Sequence, residues 1–328
     1  MKPICKLTML ALLTIPMGLQ AQRHRPQSDF TTDTLMTHDP VMAYEKGTYH
    51  VFSTGIGLQH ATSKDLKTWT VKATPVMSVI PKWTHDSVAG FRNHVWAPDI
   101  IRYKDKWWMA YSCSTFGKNT SAIGLLSTRS LDAGETWSDE GAIVCSQEGR
   151  DNWNAIDPNF IIDDNGEPWL TFGSFWDGIQ LVKLDTTMHI AKGQKMKTIA
   201  RRKHVNDMEN PVEAPFIFKH GGYYYLFVSW DYCCQGMKST YKVVVGRSRN
   251  IGGPYLDRNG KDMADLGGTL VIEGDKKVFE AAGHCSAYSY QGKDYFLCHG
   301  YSVALKGASI LICKEISWTE DGWPTLKD

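Results

Sequence analysis

The sequence has almost no net charge with which to attract a strongly charged partner. Its 36 lysine and arginine residues balance 35 aspartate and glutamate residues, which leaves a formal net charge of +1. The basic residues are scattered, and the one tight run, residues 201–203, is typical of a solvated loop. Proteins that bind nucleic acids concentrate lysine and arginine on one face. We therefore expect no nucleic-acid partner.

Long apolar runs are also missing, apart from one near the N-terminus. Residues 7–19 are mostly apolar and follow Lys2 and Lys6, but the run is too short for a good membrane span. This arrangement predicts a signal peptide over residues 1–21, followed by a short polar tail over residues 22–30. We expect a secreted or periplasmic protein without a membrane span.

A cysteine spacing typical of metal sites is missing. One of the eight cysteines lies in the predicted signal peptide, which leaves an odd number in the mature chain. Cys113, Cys298 and Cys313 lie in apolar, strand-like runs, where we expect buried thiols. The adjacent pair Cys233 and Cys234 is unusual. A bridge between neighbours is possible but strained, and the sequence does not decide whether it forms.

Convincing helical periodicity is absent, and a fivefold repeat is present instead. Each unit has an acidic or histidine residue, a short apolar strand, a tight turn and an aromatic-rich strand that ends in small polar residues. The aligned first residues are Asp39, Asp99, Asp157, Glu213 and His284. The units are somewhat longer than the roughly 40–50 residues of common propeller blades. The sequence therefore predicts an all-β fold, a single five-bladed β-propeller domain over residues 31–328.

The repeat predicts a cluster of acids on the propeller axis. The innermost strand of each blade lines the central channel, so the residues that begin these strands gather at one mouth of the channel. Four of the five aligned residues carry a carboxylic acid. Crowded carboxylates raise one another's pKa, and such clusters serve acid–base chemistry or cation binding. We expect Asp99 to be structural or to orient a substrate.

Two carboxylic acids on either side of a sugar bond are the usual equipment of glycosidases, one as base and the other as proton donor. Asp39 and Glu213 both lie close to prolines, which stiffen the backbone around them. The longer side chain of Glu213 suits a proton donor. Asp157 supplies a third carboxylate, which can keep the pKa of the acid high.

Several segments resemble glycoside hydrolase family 43 and, within it, the endo-acting α-1,5-L-arabinanases. The resemblance extends from about Leu35 to Pro324, and the order and spacing of the segments make it specific. These segments are His38-Asp39-Pro40, Trp96-Ala97-Pro98-Asp99-Ile100, Ser114-Thr115-Phe116-Gly117, Asn154-Ala155-Ile156-Asp157-Pro158, Gly173-Ser174-Phe175-Trp176, Glu213-Ala214-Pro215-Phe216 and Tyr232-Cys233-Cys234-Gln235-Gly236 followed by Ser239-Thr240-Tyr241-Lys242.

The resemblance implies an inverting hydrolase that cuts internal α-1,5 bonds of arabinan, a plant polysaccharide. It makes Asp39 the general base, Glu213 the general acid and Asp157 the residue that tunes the pKa of the acid. It also implies a calcium ion or a similar cation near the propeller axis, with His284 as a ligand. The predicted sugar contacts are His38, Trp96, Phe116, Asn154, Ser174, Phe175 and Trp176. We expect a monomer.

Two alternatives stay open. The same three acids would serve an exo-acting α-L-arabinofuranosidase or β-xylosidase, because only the shape of the cleft separates these activities. Residues 82–93 are predicted to shape the rim of that cleft. The other alternative is a carbohydrate-binding propeller without catalysis, which the presence of all three acids disfavours.

Overall fold

The computed structural model describes residues 28–132, 136–202 and 209–327. The predicted signal peptide lies outside the described residues. Within the described ranges, the strands form five antiparallel sheets. No helix in these ranges is long and apolar enough to cross a membrane.

The first two sheets contain five strands each. The first ten strands are β1 (Phe30–Thr32), β2 (Val41–Glu45), β3 (Thr48–Ser53), β4 (Gly55–Ile56), β5 (Gln59–Ser63), β6 (Trp69–Val71), β7 (His94–Tyr103), β8 (Lys106–Cys113), β9 (Ser121–Thr128) and β10 (Ser138–Ser146). Their orders are β1-β6-β5-β3-β2 and β10-β9-β8-β7-β4. The short strand β4 lies between β3 and β5 of blade 1 in the chain but pairs with β7, so it ties blade 1 to blade 2.

The other three sheets contain four strands each, in the order of the chain. Blade 3 consists of β11 (Asn159–Ile162), β12 (Pro168–Phe172), β13 (Ile179–Lys183) and β14 (Lys197–Ala200). Blade 4 consists of β15 (Val212–His220), β16 (Tyr223–Trp230), β17 (Lys242–Ser248) and β18 (Thr269–Glu273). Blade 5 consists of β19 (Phe279–Tyr290), β20 (Lys293–Ser302), β21 (Ala308–Trp318) and β22 (Pro324–Leu326).

Two-residue turns join the first two strands of several blades, as the repeat predicts. Lys46 and Gly47 have positive φ angles of 46° and 78°, and Gly221 and Gly222 have angles of 55° and 77°. Two successive positive φ angles define a type I′ turn, whose twist matches that of a β-hairpin. Glycine adopts this conformation without the steric conflict that a Cβ atom creates.

The five innermost strands form a closed ring. Each of β2, β7, β11, β15 and β19 contacts the next strand in this series, and β19 contacts β2. The segment before β2 closes the ring by pairing with β21 of blade 5. Thr37 N donates to Ser309 O, and Leu311 N donates to Leu35 O. This ring confirms the five-bladed propeller predicted from the repeat.

The apolar core lies between the blades. Five clusters of buried side chains among the described residues fill the gaps between successive blades, including the gap between blades 5 and 1. In the gap between blades 1 and 2, for example, Val41 and Phe52 pack with Met109 and Tyr111. Each blade therefore buries both faces, and burial of these apolar surfaces stabilises the ring at about 25 cal/mol per Å².

Short helices lie only in the connections of the described chain. The α-helix α1 (Lys82–Ser87) lies within the segment 82–93, between blades 1 and 2. Two 3₁₀-helices, η1 (Gly236–Lys238) and η2 (Met263–Asp265), occupy loops of blade 4. A helix of three to six residues is too short to produce periodicity in the sequence.

All seven cysteines of the described chain are free thiols. Cys113 and Cys298 are buried, as predicted, and Cys313 is half-buried. Cys113 packs between blades 1 and 2, and Cys298 between blades 4 and 5. These two thiols serve as small apolar core residues.

A pair of histidines in blade 1 makes the fold sensitive to acid. His50 Nδ1 lies 3.0 Å from His60 Nε2, and both rings stack against Phe52. Burial lowers the pKa of His50 to about 4, and burial together with the charge of His50 lowers the pKa of His60 to about 3. The pair is therefore neutral in the folded protein at neutral pH.

We expect the folded state to lose stability as the pH falls from 6.5 to 4. The unfolded chain, in which both histidines have a pKa near 6.5, binds more protons than the folded chain over this range. The expected loss is about 3 kcal/mol for each ring at pH 4. Urea unfolding at pH 7 and pH 4 measures it. The variant His60→Gln should show a smaller difference between the two pH values, whereas exposed His85→Gln should behave as the wild type; equal losses in all three proteins would contradict the prediction.

Candidate active site

The five blades share one unusual backbone conformation at the entry to the innermost strand. One residue in each blade has a positive φ angle, between 44° and 57°, which is uncommon for a residue with a side chain. These residues are Asp39, Ala97, Asp157, Ala214 and His284. The left-handed conformation interrupts the strand pairing in β7, β15 and β19, where the register shifts at this position.

A side chain binds the backbone amide of each of these residues, because a buried amide outside the strand ladder needs a partner. Asp39 N donates to His299 Nδ1 over 3.1 Å, and Ala97 N donates to Thr54 Oγ1 over 2.8 Å. The other three acceptors are Ser112 Oγ for Asp157, Asp157 Oδ2 for Ala214 and Ser229 Oγ for His284. Every acceptor comes from the preceding blade, so these bonds hold the entries of neighbouring blades together.

The alignment of repeats in the sequence was wrong in two blades. It placed Asp99 and Glu213 level with Asp39, but the structure places Ala97 and Ala214 at that level. The repeat aligned acidic residues with one another, whereas the backbone conformation, which an alanine can also adopt, defines the equivalent position. Glu213 therefore lies one residue before the entry position, and Asp99 two residues after it.

Asp99 occupies a structural position between blades 2 and 3. Its Oδ2 accepts hydrogen bonds from Phe160 N at 2.7 Å and from Asn159 Nδ2 at 3.3 Å. Burial raises the pKa of Asp99 to about 7 in spite of these bonds. Asn159 continues the series, because its Oδ1 accepts from Ile217 N of blade 4.

Asp39 lies buried among cationic and hydroxyl partners. Its Oδ1 is 2.9 Å from His38 Nδ1 and 3.0 Å from His284 Nδ1. Its Oδ2 accepts a 2.5 Å hydrogen bond from Thr54 Oγ1. Burial alone would raise the pKa of Asp39, but the charges of His284 and His38 outweigh it and hold the pKa well below 3.8. Asp39 is therefore an ionised carboxylate.

The pKa of Glu213 is shifted in the opposite direction from that of Asp39. Burial raises its pKa above 4.5, although Ser174 and Tyr241 both donate to it. Ser174 Oγ lies 2.7 Å from Oε2, and Tyr241 OH lies 2.8 Å from Oε1. Both carboxyl oxygens of Glu213 thus have a fixed position, and the group holds a proton more readily than an exposed glutamate does.

Asp157 interacts electrostatically with both Asp39 and Glu213. Burial raises its pKa well above 3.8, and the charges of Glu213 and Asp39 raise it further, against the opposing charge of His284. Its Oδ2 accepts from the amide of Ala214, the residue that follows Glu213. Asp157 therefore positions the backbone of the segment that carries Glu213. The structure brings the three predicted acids and His284 into one electrostatic cluster.

A buried cluster with one ionised carboxylate and two carboxyls of raised pKa suits acid–base cleavage of a glycosidic bond. Residues 34–324 match the model of the family described as Glycosyl hydrolases family 43. The chain belongs to glycosyl hydrolase family 43.

Individual proteins that are similar to this chain agree with this match. An exo-1,5-alpha-L-arabinanase from a bovine ruminal metagenomic library has a solved structure with 50% identity and a TM-score of 0.87, covering 90% of this chain and 98% of that one. An extracellular exo-alpha-(1->5)-L-arabinofuranosidase of Cellvibrio japonicus is 42% identical over 89% of this chain and 86% of its own. An extracellular endo-alpha-(1->5)-L-arabinanase of Bacillus subtilis is 38% identical over 88% of this chain and 87% of its own.

The predicted sugar-binding residues of this family 43 chain fall into two groups. Phe116 is 74% exposed and Trp176 is 40% exposed, so both rings are available for stacking on a sugar. Phe175 and Trp176 have successive positive φ angles, in the turn directly after Ser174. Half-buried Trp96 donates its indole N–H to His94 Nδ1 over 2.9 Å.

The remaining predicted contacts are engaged with protein groups. His38 contacts the carboxylate of Asp39, and Ser174 donates to the carboxyl group of Glu213, as described above. Asn154 is buried, and its Oδ1 accepts a 2.7 Å hydrogen bond from Ser121 Oγ. Its amide nitrogen faces Lys118 O at 3.4 Å. The side chain of Asn154 thus holds the loop between β8 and β9, and a sugar would have to compete with these bonds.

The sequence analysis did not assign a role to four residues that contact the acids or the histidines beside them. These residues are Thr54, Tyr241, His299 and Tyr301. A signal for His299 was present, because the second strand of each repeat ends in small polar residues or histidine. Ser112, Ser229 and His299 occupy that end, and all three bind an entry amide of the next blade.

We expect Thr54→Val to lower both the rate and the stability of the protein. The substitution removes the donor to Asp39 Oδ2 and the acceptor for Ala97 N, and it leaves both partners buried. The expected effects are about a tenfold loss in kcat and about 1–3 kcal/mol in the free energy of unfolding. Thr54→Ser keeps the hydroxyl and should stay close to wild type in both. A Val variant with wild-type kcat would show that Thr54 does not position Asp39.

Proposed function

We propose that the protein hydrolyses α-1,5-linked L-arabinan with inversion at the anomeric carbon. The observation that carries this proposal is the pairing of an ionised Asp39 with a Glu213 whose pKa is raised. An inverting glycosidase needs a base and an acid in those protonation states at the same pH. The names of the family 43 relatives supply the sugar and the linkage.

In this mechanism Glu213 donates its proton to the oxygen of the scissile bond, and the sugar leaving group departs. Asp39 removes a proton from a water molecule that attacks the anomeric carbon from the opposite side. The two carboxyls of inverting enzymes lie about 6.5–9.5 Å apart, which leaves room for that water. Asp157 tunes the acid because ionisation of either Asp157 or Glu213 disfavours ionisation of the other, so the two carboxyls retain a proton until Glu213 delivers one to the leaving oxygen. The first product released should be the β-anomer, which NMR detects before mutarotation.

The mode of cleavage has two candidates. The sequence resemblance favours endo action on internal bonds. The two compared proteins with 50% and 42% identity are named as exo-acting, and the Bacillus subtilis protein at 38% identity is named as endo-acting. On these identities we propose release of short products from the chain end, with endo cleavage as the second candidate.

The product sizes formed from linear arabinan distinguish these candidates. Exo action should release one small product from the first minutes and lower the viscosity slowly. Endo action should release a ladder of arabino-oligosaccharides and lower the viscosity at once. Xylo-oligosaccharides belong in the same panel, and turnover of these without turnover of arabinan would replace the proposed substrate by xylan-derived sugars.

We further propose that His284 holds the calcium or similar cation implied by the resemblance. Its Nδ1 contacts Asp39, so Nε2 is the nitrogen that would face an ion. Ca²⁺ takes six to eight oxygen ligands, and both carboxyl oxygens of Asp39 and of Glu213 already have protein partners. The donor set therefore fits a largely hydrated ion. Burial would lower the pKa of His284, but the charge of Asp39 raises it to about 9 without an ion, so this position favours a positive charge in either form.

We expect chelation to lower the melting temperature and kcat, because a bound cation would offset the charges of three buried acids. Treatment with EDTA, followed by addition of Ca²⁺ or Mg²⁺, measures the loss and the recovery. The same treatment of His284→Gln should have little effect. If the wild type is also unaffected, His284 acts only through its proton.

We also propose export of the protein after removal of residues 1–21. The Cellvibrio japonicus and Bacillus subtilis relatives are both named as extracellular. A polysaccharide as large as arabinan is degraded outside the cytoplasm. Mass spectrometry of the mature protein from its natural host would locate the cleavage site.

A further inference from the structure

Two adjacent cysteines lie beside the acids without a part in the proposed hydrolysis. Cys233 and Cys234 occupy the loop between β16 and η1, and their sulfur atoms are 2.6 Å apart. Both are free thiols. Cys234 is exposed and Cys233 is half-buried. A small molecule in solution can therefore reach the sulfur of Cys234.

The pair is connected to the general base through Tyr301. Cys234 N donates to Tyr301 OH over 2.7 Å, and this hydroxyl lies 3.2 Å from both His38 Nε2 and His299 Nε2. The sulfur of Cys234 lies 3.9 Å from His38 Nε2. His38 and His299 in turn contact Asp39. A change at Cys234 thus reaches groups that hold Asp39 directly.

The pair is also connected to the general acid. Cys233 packs against Tyr241 and Ala281. Tyr241 OH donates to Glu213 Oε1. The two cysteines therefore touch the groups that position both carboxyls of the proposed reaction.

The two thiols are chemically different. The thiol of Cys233 donates to Cys234, and together with the nearby His38 it lowers the pKa of Cys234 to about 5. The hydrogen bond and burial raise the pKa of Cys233. The thiolate is the reactive form of cysteine, so Cys234 is suited to attack and Cys233 to follow.

We propose that Cys233 and Cys234 form a reversible redox modification site that lowers the hydrolytic rate when it is oxidised. The effect on rate depends on the proposed function, whereas the modification itself does not. The oxidant is a small disulfide, RSSR. The Cys234 thiolate attacks one sulfur of RSSR and releases RS⁻, which forms a mixed disulfide. Cys233 then loses its proton and attacks Cys234 Sγ, and a second RS⁻ leaves. Two thiols are oxidised and one disulfide is reduced to two thiols.

Adjacency in the chain makes this bridge easy to reverse. Cα atoms of neighbouring residues are about 3.8 Å apart across a trans peptide, whereas disulfides usually span about 4.4–6.8 Å between Cα atoms. The short span strains the bridge, and strained disulfides are more easily reduced than structural ones. A dithiol reductant should therefore restore both thiols.

Oxidation removes two features from the acid cluster. A disulfide carries no charge, so His38 loses the sulfur acceptor at its Nε2 and Glu213 loses a nearby negative charge that helps it to keep its proton. Both changes work against the protonation states that the reaction needs. We expect kcat/KM on arabinan to fall by about three- to tenfold on oxidation.

The test equilibrates the purified protein with glutathione buffers of increasing oxidised fraction. Alkylation and peptide mass measure the modification, and arabinan hydrolysis measures the rate. We expect the peptide with Cys233 and Cys234 to lose two hydrogens, and kcat/KM to fall along the same curve and recover with dithiothreitol. The double variant C233S/C234S should have a rate that does not depend on the buffer. The control Cys145→Ser, at a half-buried cysteine of blade 2, should respond as the wild type does.

Three outcomes would overturn the proposal. Recovery of the pair as two thiols from fully oxidised glutathione excludes the modification. Oxidation of the pair with unchanged kcat/KM excludes its effect on rate. A response that persists in C233S/C234S assigns it to another cysteine. A protein without arabinan hydrolysis in either state would instead refute the proposed function, and the alkylation result would still decide whether the modification occurs.

Discussion

Replacing Glu213 with Gln is expected to lower kcat on arabinan by about 10²–10⁴-fold while the fold stays intact. Gln is the same size, and its amide oxygen can accept from one of the hydroxyls of Ser174 and Tyr241 while its amide nitrogen donates to the other, but it has no acidic proton for the leaving oxygen. Loss of a general acid typically has an effect of this size. Steady-state rates on linear arabinan, with melting curves alongside, measure both parts of the prediction.

The nature of the leaving group provides a sharper test of the role of Glu213. In an aryl arabinofuranoside with an acidic phenol, the phenolate leaves without being protonated. The Gln variant should therefore lose much less activity on this substrate than on arabinan. Glu273→Gln makes the same chemical change on the outer strand β18 of the same blade and should leave both rates unchanged. Equal losses on both substrates would remove Glu213 from the role of proton donor.

Replacing Asp39 with Asn is expected to lower kcat by a similar factor, about 10²–10⁴. Asn accepts a hydrogen bond from Thr54 as the carboxylate does, but it cannot take a proton from the attacking water. Asp39→Asn should lose as much activity on the aryl substrate as on arabinan, because the base is needed with either leaving group. The opposite responses of the two variants to leaving-group acidity distinguish the base from the acid.

The charge of Asp39 has a second measurable consequence. His38 and His284 both contact Asp39 Oδ1, and the charge of Asp39 raises the pKa of each ring. NMR titration of the histidines should therefore find both pKa values lower in Asp39→Asn. Exposed Asp105→Asn, in the turn between β7 and β8, makes the same change away from the cluster and should alter neither the rate nor these titrations. Activity of Asp39→Asn within tenfold of wild type would contradict the assignment of the base.

The sequence predicted the propeller because the information for it is local and repeated. A strand, a tight turn and an aromatic-rich strand recur five times, and each unit shows its alternation and its turn within a few residues. The Gly221-Gly222 turn is an example, since two adjacent glycines predict the type I′ conformation that the structure has. One inner strand per repeat then suffices to bring Asp39 and His284 together.

The register of the site could not be predicted in the same way. The entry position is defined by a left-handed backbone at Ala97 and Ala214. Alanine rarely adopts this conformation, so its presence in a sequence does not predict it. The alignment by acidic residues therefore displaced Asp99 and Glu213. The difference in register matters for the role of Asp99. Two residues after the entry position, Asp99 lies between two blades, and its carboxylate accepts a hydrogen bond from Phe160 N.

The sequence by itself determined the number of blades, the fold class and which residues can carry acid–base chemistry, since these follow from residue type and spacing. Only the tertiary structure decided which acid is ionised. That property depends on burial and on charges from other blades, as when His284 of blade 5 holds the pKa of Asp39 of blade 1 well below 3.8. It likewise decided that Cys233 and Cys234 lie beside His38, across a gap of nearly two hundred residues in the chain.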